Sequence, residues 1–530
     1  MKTMQTYLLL ISLMIFTTLS AMNDMPLMAE LQGEHNGSGF GYSMLSLDFN
    51  HDGYDDLVVL SLFYGYDYVQ QTPSRGKVYI YYGGPGFSSA TQPAMTLEGD
   101  YPEGMQRKVG LIVNVGDING DGFDDLMIGD AIPNEYSSVR YMFYFGGTND
   151  LSTPDLIYPF LPNESIYRFD KLGDVDGDGF DDIGLAYRFQ AGIYSYDIQW
   201  GGSFNRQLVY SGSEIMPYLS YISGIGDINA DGYHDFTIGY VSDDTEPPSC
   251  IIKFYYGNPD RSFNHPIVLI NTQNAITRKC KPLGDINGDG YDDFFAYANY
   301  TGMAIWYGAV NLEFSYPDIV LNPVYFGNDS VRGIEASDIN GDGFNDVIGA
   351  SYSQQRLAVW LGSSQMDGHA DWQKTSTLEN YGYDLAVGDF NGDGYDDIAV
   401  SAPFEEGIWP YHDYRGYVFI YAGNPGMVAN EDLHTPLLVE QIQLKLSPNP
   451  VRSGNTINIE IRKSADVKGK AAELQVFNIK GQLVYQEEDK AISADNATWS
   501  LNLNKLTNGV YLCRVKIGNL QTTKRFTIIK

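Results

Sequence analysis

Apolar residues in this chain come in short runs broken by glycine and acidic turns, and they never settle into a helical period. Leu111-Ile-Val-Asn-Val-Gly and Tyr383-Asp-Leu-Ala-Val-Gly lead into acidic turns, and Asp125-Leu-Met-Ile-Gly and Asp397-Ile-Ala-Val leave them. A third kind of run is aromatic and ends in glycine: Val78-Tyr-Ile-Tyr-Tyr-Gly, Met142-Phe-Tyr-Phe-Gly, Ala304-Ile-Trp-Tyr-Gly and Val418-Phe-Ile-Tyr-Ala-Gly. A weaker fourth follows, as in Pro93-Ala-Met-Thr-Leu-Glu. Runs of four to eight such residues bounded by turn signals predict strands. The order of strand, acidic loop, strand, variable loop, strand, weak strand then recurs seven times.

The acidic loop is the clearest unit of the repeat. Nine residues reading Asp-x-Asn/Asp-x-Asp-Gly-Tyr/Phe-x-Asp begin at Asp48, Asp117, Asp174, Asp227, Asp285, Asp338 and Asp389, at intervals of 69, 57, 53, 58, 53 and 51 residues. A period of this length signals stacked supersecondary units. Four antiparallel strands per unit and seven units predict an all-β chain with a seven-bladed β-propeller. Pro26-Leu-Met-Ala-Glu-Leu-Gln-Gly resembles a fourth strand yet stands before the first loop. Residues 26–33 are therefore expected to close the ring on the last sheet and remove two open edges, with Thr435–Glu440 the competing segment.

The residue types in the loop point to a hard cation. Side-chain oxygens recur at alternate positions: the seven opening aspartates, then Asn50, Asn119, Asp176, Asn229, Asn287, Asn340 and Asn391, then Asp52, Asp121, Asp178, Asp231, Asp289, Asp342 and Asp393. The seventh position offers a backbone carbonyl, from Tyr54, Phe123, Phe180, Tyr233, Tyr291, Phe344 and Tyr395. Asp56, Asp125, Asp182, Asp235, Asp293, Asp346 and Asp397 close the set. Calcium takes six to eight oxygens in flexible geometry, which such a loop plus water supplies. The sixth residue is glycine in all seven copies, as a turn with positive φ requires. An EF-hand needs an acidic ligand at position 12, and here that position holds Val59, Ile128, Leu185, Ile238, Ala296, Gly349 and Val400. Ordinary Asp-Asn-Gly turn chemistry explains one copy but not seven with the ligand positions filled. Up to seven calcium ions are expected, and variation at His51 and Ala230 is expected to be harmless because even positions supply no ligand.

These loops closely resemble the FG-GAP (VCBS-type) calcium repeats of integrin α-subunit propellers and their bacterial relatives. Gly39-Phe40-Gly41-Tyr42-Ser43 in the first unit carries the name-giving pair, and most later units lack it. The resemblance implies the propeller and calcium; such propellers serve adhesion, glycan binding and enzyme scaffolding alike.

The two ends differ from the middle. Residues 1–21 place Lys2 before Leu8-Leu-Leu-Ile-Ser-Leu-Met-Ile-Phe and small residues to Ala21, the pattern of a secretory signal, and no other segment approaches transmembrane length. Residues 22–427 form the expected propeller and 428–441 a linker. Residues 442–530 then hold 14 Lys/Arg against 7 Asp/Glu, whereas the preceding part holds 19 against 60. That shift marks a domain boundary. Its alternating segments, among them Ile457-Asn-Ile-Glu-Ile, Leu474-Gln-Val-Phe-Asn and Gly509-Val-Tyr-Leu-Cys-Arg-Val, predict a small immunoglobulin-like β-sandwich. Pro448-Asn449-Pro450, the turn at Asn478, Leu506-Thr-Asn-Gly-Val-Tyr and the basic finish resemble the C-terminal sorting domain of type IX secretion cargo in Bacteroidetes-like bacteria. The resemblance implies a cleavable export address, a secreted or surface-attached product, and the type IX machinery as a partner.

Net charge is −34, and 27 aspartates of the seven loops account for most of the excess, so a nucleic-acid partner is excluded for want of basic patches. Three cysteines in 530 residues exclude a disulfide scaffold, with Cys513 expected in a core and Cys250 and Cys280 as free thiols. The seven histidines are scattered, and neither a nucleophile elbow nor a zinc-protease motif occurs. The chain is thus expected to be a non-catalytic protein of adhesion or recognition for glycan or protein ligands; a polysaccharide lyase or hydrolase on a propeller scaffold is the alternative. The candidate ligand surface is the pair of aromatic loops opposite the acidic ones, with Tyr64, Tyr66 and Tyr68 from the first unit and Trp409, Tyr411, His412, Tyr414 and Arg415 from the last. Packing of these rings within their own loops is the competing reading.

Overall fold

The computed structural model describes residues 25–35, 37–66, 74–99, 108–131, 140–147, 150–158, 164–189, 193–213, 221–242, 249–271, 280–298, 302–310, 317–321, 333–404, 415–428, 442–447, 451–452, 456–463, 471–478, 482–491, 496–503, 506–507, 509–517 and 520–529. Residues 1–24, with the expected signal segment, and residues 429–441, with Thr435–Glu440, lie outside them. The chain divides into two compact units, residues 1–430 and 431–530.

Among the described residues, the first unit contains seven four-stranded antiparallel sheets. Sheet 1 is built in chain order from Phe40–Leu47, Asp56–Ser61, Lys77–Tyr81 and Met95–Glu98. Sheets 2 to 6 repeat it, with first strands Lys108–Gly116, Glu164–Gly173, Tyr221–Gly226, Lys281–Gly284 and Gly333–Ser337. Sheet 7 departs from chain order: Leu385–Gly388, Asp397–Ala402 and Tyr417–Tyr421 are completed by Leu27–Gln32. Leu27 pairs with Tyr421 and Gln32 with Tyr417, and Gly33 N–H donates to the Gly416 carbonyl at 3.1 Å. The chain's first strand therefore closes the ring, as its sequence predicts. The first strands of the seven sheets touch one another in cyclic order, with sheet 7 meeting sheet 1. This is a β-propeller.

Burial follows from that arrangement. A sheet standing between two others buries both faces, so its middle strands lose the alternation of a half-exposed strand. All six residues of Asp56–Ser61, Asp346–Ser351 and Asp397–Ala402 are buried. Successive side chains serve different joints. Leu57 and Val59 pack toward sheet 7, whereas Val58 and Leu60 pack toward sheet 2. Each of the seven junctions thereby has its own apolar cluster; between sheets 3 and 4 it includes Leu172, Tyr196, Trp200, Phe236 and Tyr255.

The second unit has a three-stranded sheet (Ile442–Ser447, Thr456–Lys463, Asn496–Asn502) and a five-stranded one (Val451–Arg452, Leu520–Ile529, Gly509–Ile517, Ala471–Asn478, Leu483–Ala491). Ile457, Ile459 and Leu501 from the first face Leu474, Val476, Cys513 and Val515 from the second. It is a two-sheet sandwich. The buried Cys513 thiol, pushed up to about 12 by burial, is a core residue as expected. Cys280 is also buried and in no disulfide, its Sγ 3.8 Å from the Tyr221 hydroxyl; the side chain of Cys250 lies outside the described set. Among the described residues no helix is long and apolar enough to cross a membrane.

Candidate metal centres

Each acidic loop joins the first strand of a sheet to the second, so all seven lie at one end of the ring. Their conformation is dictated by the spacing of carboxylates. In the loop at Asp117, Oδ1 accepts from the N–H of Gly120 (2.7 Å) and Asp121 (3.1 Å), and Oδ2 from Gly122 (2.8 Å). Asn119 Oδ1 accepts from Asp121 N–H and Asp121 Oδ1 from Phe123 N–H. The fifth- and sixth-residue bonds to the opening carboxylate recur around Asp48, Asp174, Asp227, Asp285, Asp338 and Asp389. Side-chain oxygens thus wind the backbone around themselves. The sixth-position glycines have φ between 88° and 94°, with open space where a Cβ would stand, so backbone conformation alone demands glycine there.

Exposure falls through the loop. The fifth-position aspartates are exposed, the opening ones half-buried, and the ninth are fully buried at 0 %. The ninth carboxylate also ties the loop to its own sheet. Asp125 accepts from Ile118 N–H within the loop (3.1 Å) and from Gly146 N–H after the third strand (2.9 Å). Asp56, Asp182, Asp235, Asp293 and Asp346 repeat this pair. A residue predicted as a ligand therefore also holds the corner between loop and sheet.

The donor set fits a divalent cation. Burial, followed by repulsion from the opening and fifth-position aspartates, pushes the ninth carboxyl to about 7 at Asp125 and about 8 at Asp235 and Asp346, because negative charges converge where solvent is excluded. Oxygens of Asp174, Asp176 and Asp182 all lie within 4.8 Å of one another. In the seventh loop Asp397 Oδ2 is buried without a hydrogen-bond partner, although such atoms are normally satisfied. Oxygen-only donors with a buried anionic floor suit calcium rather than softer metals.

Two other features of the loop escaped sequence reasoning. The eighth residue, read only as a spacer, reaches the preceding sheet. Asp181 Oδ2 accepts from Asp117 N–H (3.1 Å), His234 Nδ1 from Asp174 N–H (2.8 Å), Asp292 Oδ2 from Asp227 N–H (2.8 Å) and Asp55 Oδ2 from Asp389 N–H (2.9 Å). Asn345 donates to the Leu283 carbonyl, and Asp396 accepts from Ser337 Oγ. Glycine before the loop makes room: a Cβ at Gly116, Gly173, Gly226 or Gly284 collides with that incoming side chain. The recurring Gly-Asp dipeptide and the acidic eighth position were the available signals.

The fourth position was the second. It has positive φ in every loop, 75–77° at the five glycines, 60° at His51 and 55° at Ala230. His51 and Ala230 are therefore strained, contrary to the expectation that this position is indifferent. The seventh-position ring explains the preference for glycine, since Phe180, Tyr233, Phe344, Tyr395 and Tyr54 lie against Gly120, Gly177, Gly288, Gly341 and Gly392 of the preceding loops.

At the opposite end of the ring, only part of the candidate ligand surface is described. Tyr68, Trp409, Tyr411, His412 and Tyr414 lie outside the described residues. Tyr64 packs into its surroundings, with Lys77 Nζ 4.7 Å from its ring centroid and its hydroxyl 3.4 Å from Glu34. Tyr66 is 42 % exposed, and the Arg415 carbonyl accepts from Phe40 N–H and Ser38 Oγ. The two aromatic loops do meet, through residues outside the candidate ligand set: Phe63 and Phe404 have ring centroids 5.7 Å apart, with Tyr42 and Tyr383 packed against Phe404.

The FG-GAP repeat model matches residues 381–421, and the FG-GAP-like repeat model matches 48–128 and 338–400. The chain carries FG-GAP repeats. The secretion system C-terminal sorting domain model matches 445–530, within the sandwich unit, and implies export with C-terminal processing. Curated relatives of the chain include integrin α subunits: α-3 of Cricetulus griseus (29 % identical, covering 29 % of this chain and 14 % of that protein), α-4 of Xenopus laevis (28 %; 34 % and 18 %) and α-5 of Xenopus laevis (28 %; 40 % and 21 %). The chain thus spans at most about a fifth of those integrins. Saccharomyces cerevisiae Sqt1 superposes with a TM-score of 0.37 at 9 % identity, over 96 % of this chain and 100 % of that one, a likeness too loose to carry a functional comparison.

Proposed function

We propose that this chain is an exported, calcium-stabilised FG-GAP propeller that recognises glycan or protein ligands at the cell surface without catalysing a reaction, and that its sandwich unit is the address read by the type IX machinery. The observation that carries the calcium part is the buried ninth carboxylate, repeated in seven oxygen-only loops and facing two further aspartates in each. Calcium there offsets the converging charge and locks the corner that ties each loop to its sheet. Asp/Asn side chains at positions one, three, five and nine and the seventh carbonyl would hold it. Metal at one end of the ring leaves the other for a ligand. That end has the Tyr42, Phe63, Tyr383 and Phe404 cluster and the exposed Tyr66, and aromatic faces suit both sugar rings and protein anchors.

The test is a glycan array and a cell-adhesion assay on the mature protein, in calcium and in chelator. Calcium-dependent binding that Tyr66→Ala or Trp409→Ala weakens about tenfold is expected. Unchanged binding by folded variants removes the aromatic surface from the proposal, and degradation of a polysaccharide substrate overturns its non-catalytic part.

A further inference from the structure

The third loop is built differently from the other six. Its third position is Asp176 where the others have asparagine, so its ligand positions carry four carboxylates rather than three. In four of the others that asparagine amide donates to the fifth-position carboxylate: Asn50 to Asp52 (3.0 Å), Asn119 to Asp121 (2.9 Å), Asn287 to Asp289 (3.2 Å) and Asn340 to Asp342 (3.0 Å). A carboxylate cannot donate. Arg261 replaces the amide: Nε donates to Asp176 Oδ2, and Nη2 donates to Asp178 Oδ2 at 3.1 Å.

Arg261 comes from the neighbouring sheet, in the turn after the third strand of sheet 4 (Ser249–Tyr255). Several contacts fix it over the loop. Its guanidinium carbon lies 4.2 Å from the centroid of the buried Trp200 ring. Its carbonyl accepts from Gln207 Nε2 of sheet 3 at 2.8 Å. Its φ is 51°, a conformation that arginine adopts only at a cost and that persists where surroundings enforce it. One guanidinium charge also returns the ligand positions of the third loop to the net −3 of those in its six counterparts.

The same oxygens cannot serve both cations. Asp176 Oδ1 already accepts from Asp178 N–H and Asp178 Oδ1 from Phe180 N–H, so the guanidinium takes the remaining oxygen of each. An entering divalent ion meets a fixed positive charge and must displace it. We propose that Arg261 is a built-in counter-cation that competes with calcium for the third loop, making this loop the weakest of the seven calcium sites and the sheet 3–sheet 4 junction the one least dependent on metal. The proposal rests on the calcium reading of the loops given above.

Trp200 reports on the displacement locally. The full mature protein, stripped with chelator, is titrated with calcium while tryptophan emission is followed, with Trp200→Phe as the subtraction control and calorimetry to count bound ions. Wild type is expected to show a Trp200 transition at higher calcium than bulk binding. Arg261→Gln is expected to lower that midpoint about tenfold or more, since ligand charge sets affinity in such sites. Asp176→Asn, which keeps the arginine and removes one carboxylate, is expected to raise it, so one folded variant of the two suffices. A midpoint within twofold of wild type in both variants, or calcium filling the protein with no Trp200 response, overturns the role of Arg261 and leaves the calcium reading intact. No calcium bound at any loop overturns both.

Discussion

Ala230 and His51 occupy a left-handed backbone position that five sister loops fill with glycine. For a residue with a Cβ that conformation costs about 1–2 kcal/mol, partly offset by the larger entropy glycine loses on folding. Ala230→Gly is accordingly expected to stabilise the calcium-loaded protein by about 0.5–1 kcal/mol, read as a higher urea midpoint; a lower midpoint contradicts the strain. The ninth-position aspartates make a second prediction. Their folded-state carboxyls sit at about 7–8 while an unfolded aspartate titrates near 3.8, so without metal the folded chain holds protons that the unfolded chain has released. Stability from these groups is full below the unfolded value and lost as pH rises to about 8. Melting of the chelated protein should fall steadily from pH 5 to pH 8, whereas excess calcium, standing in for the protons, should flatten the profile. A chelated protein that melts higher at pH 8 than at pH 5 would contradict this.

At the scale of elements, the joint between adjacent sheets pairs a glycine with the polar eighth-position side chain of the next loop at Gly116, Gly173, Gly226, Gly284 and Gly388. Gly226 has φ 80° and no room for a Cβ beside Asp292. Gly226→Ala is expected to cost about 2–3 kcal/mol, combining backbone strain with displacement of the carboxylate. Asp292→Ala leaves the Asp227 N–H without its acceptor and should cost about 1–2 kcal/mol. Because both act on one contact, the double variant should lose less than the sum, as a double-mutant cycle on unfolding free energies would reveal. The strands themselves were legible, because their apolar runs and turn residues are local. The joint was not. It pairs residues about 65 positions apart, and a spacer in one loop gains meaning only when the next sheet is placed against it.

At the scale of the whole molecule, the Leu27–Gln32 strand completes the seventh sheet and joins the two ends of the row into a ring, and calcium at one end is expected to brace it. By mass action each occupied loop adds about 2.7 kcal/mol at a hundredfold excess of free calcium over its dissociation constant. Chelation should therefore lower the calorimetric melting temperature of the FG-GAP ring well beyond a matched salt control; an unchanged melt counts against a structural metal. The sequence by itself determined the repeat, the strands and the closing strand, because each is written in residues close together or in a pattern repeated many times. Only the tertiary structure decided which side chains bridge the sheets, that the ninth carboxylate is buried as well as acidic, and that Arg261 answers the extra charge of Asp176 from 85 residues away. Periodicity specifies a unit, but burial and charge pairing between units depend on distances that exist only once the ring has closed.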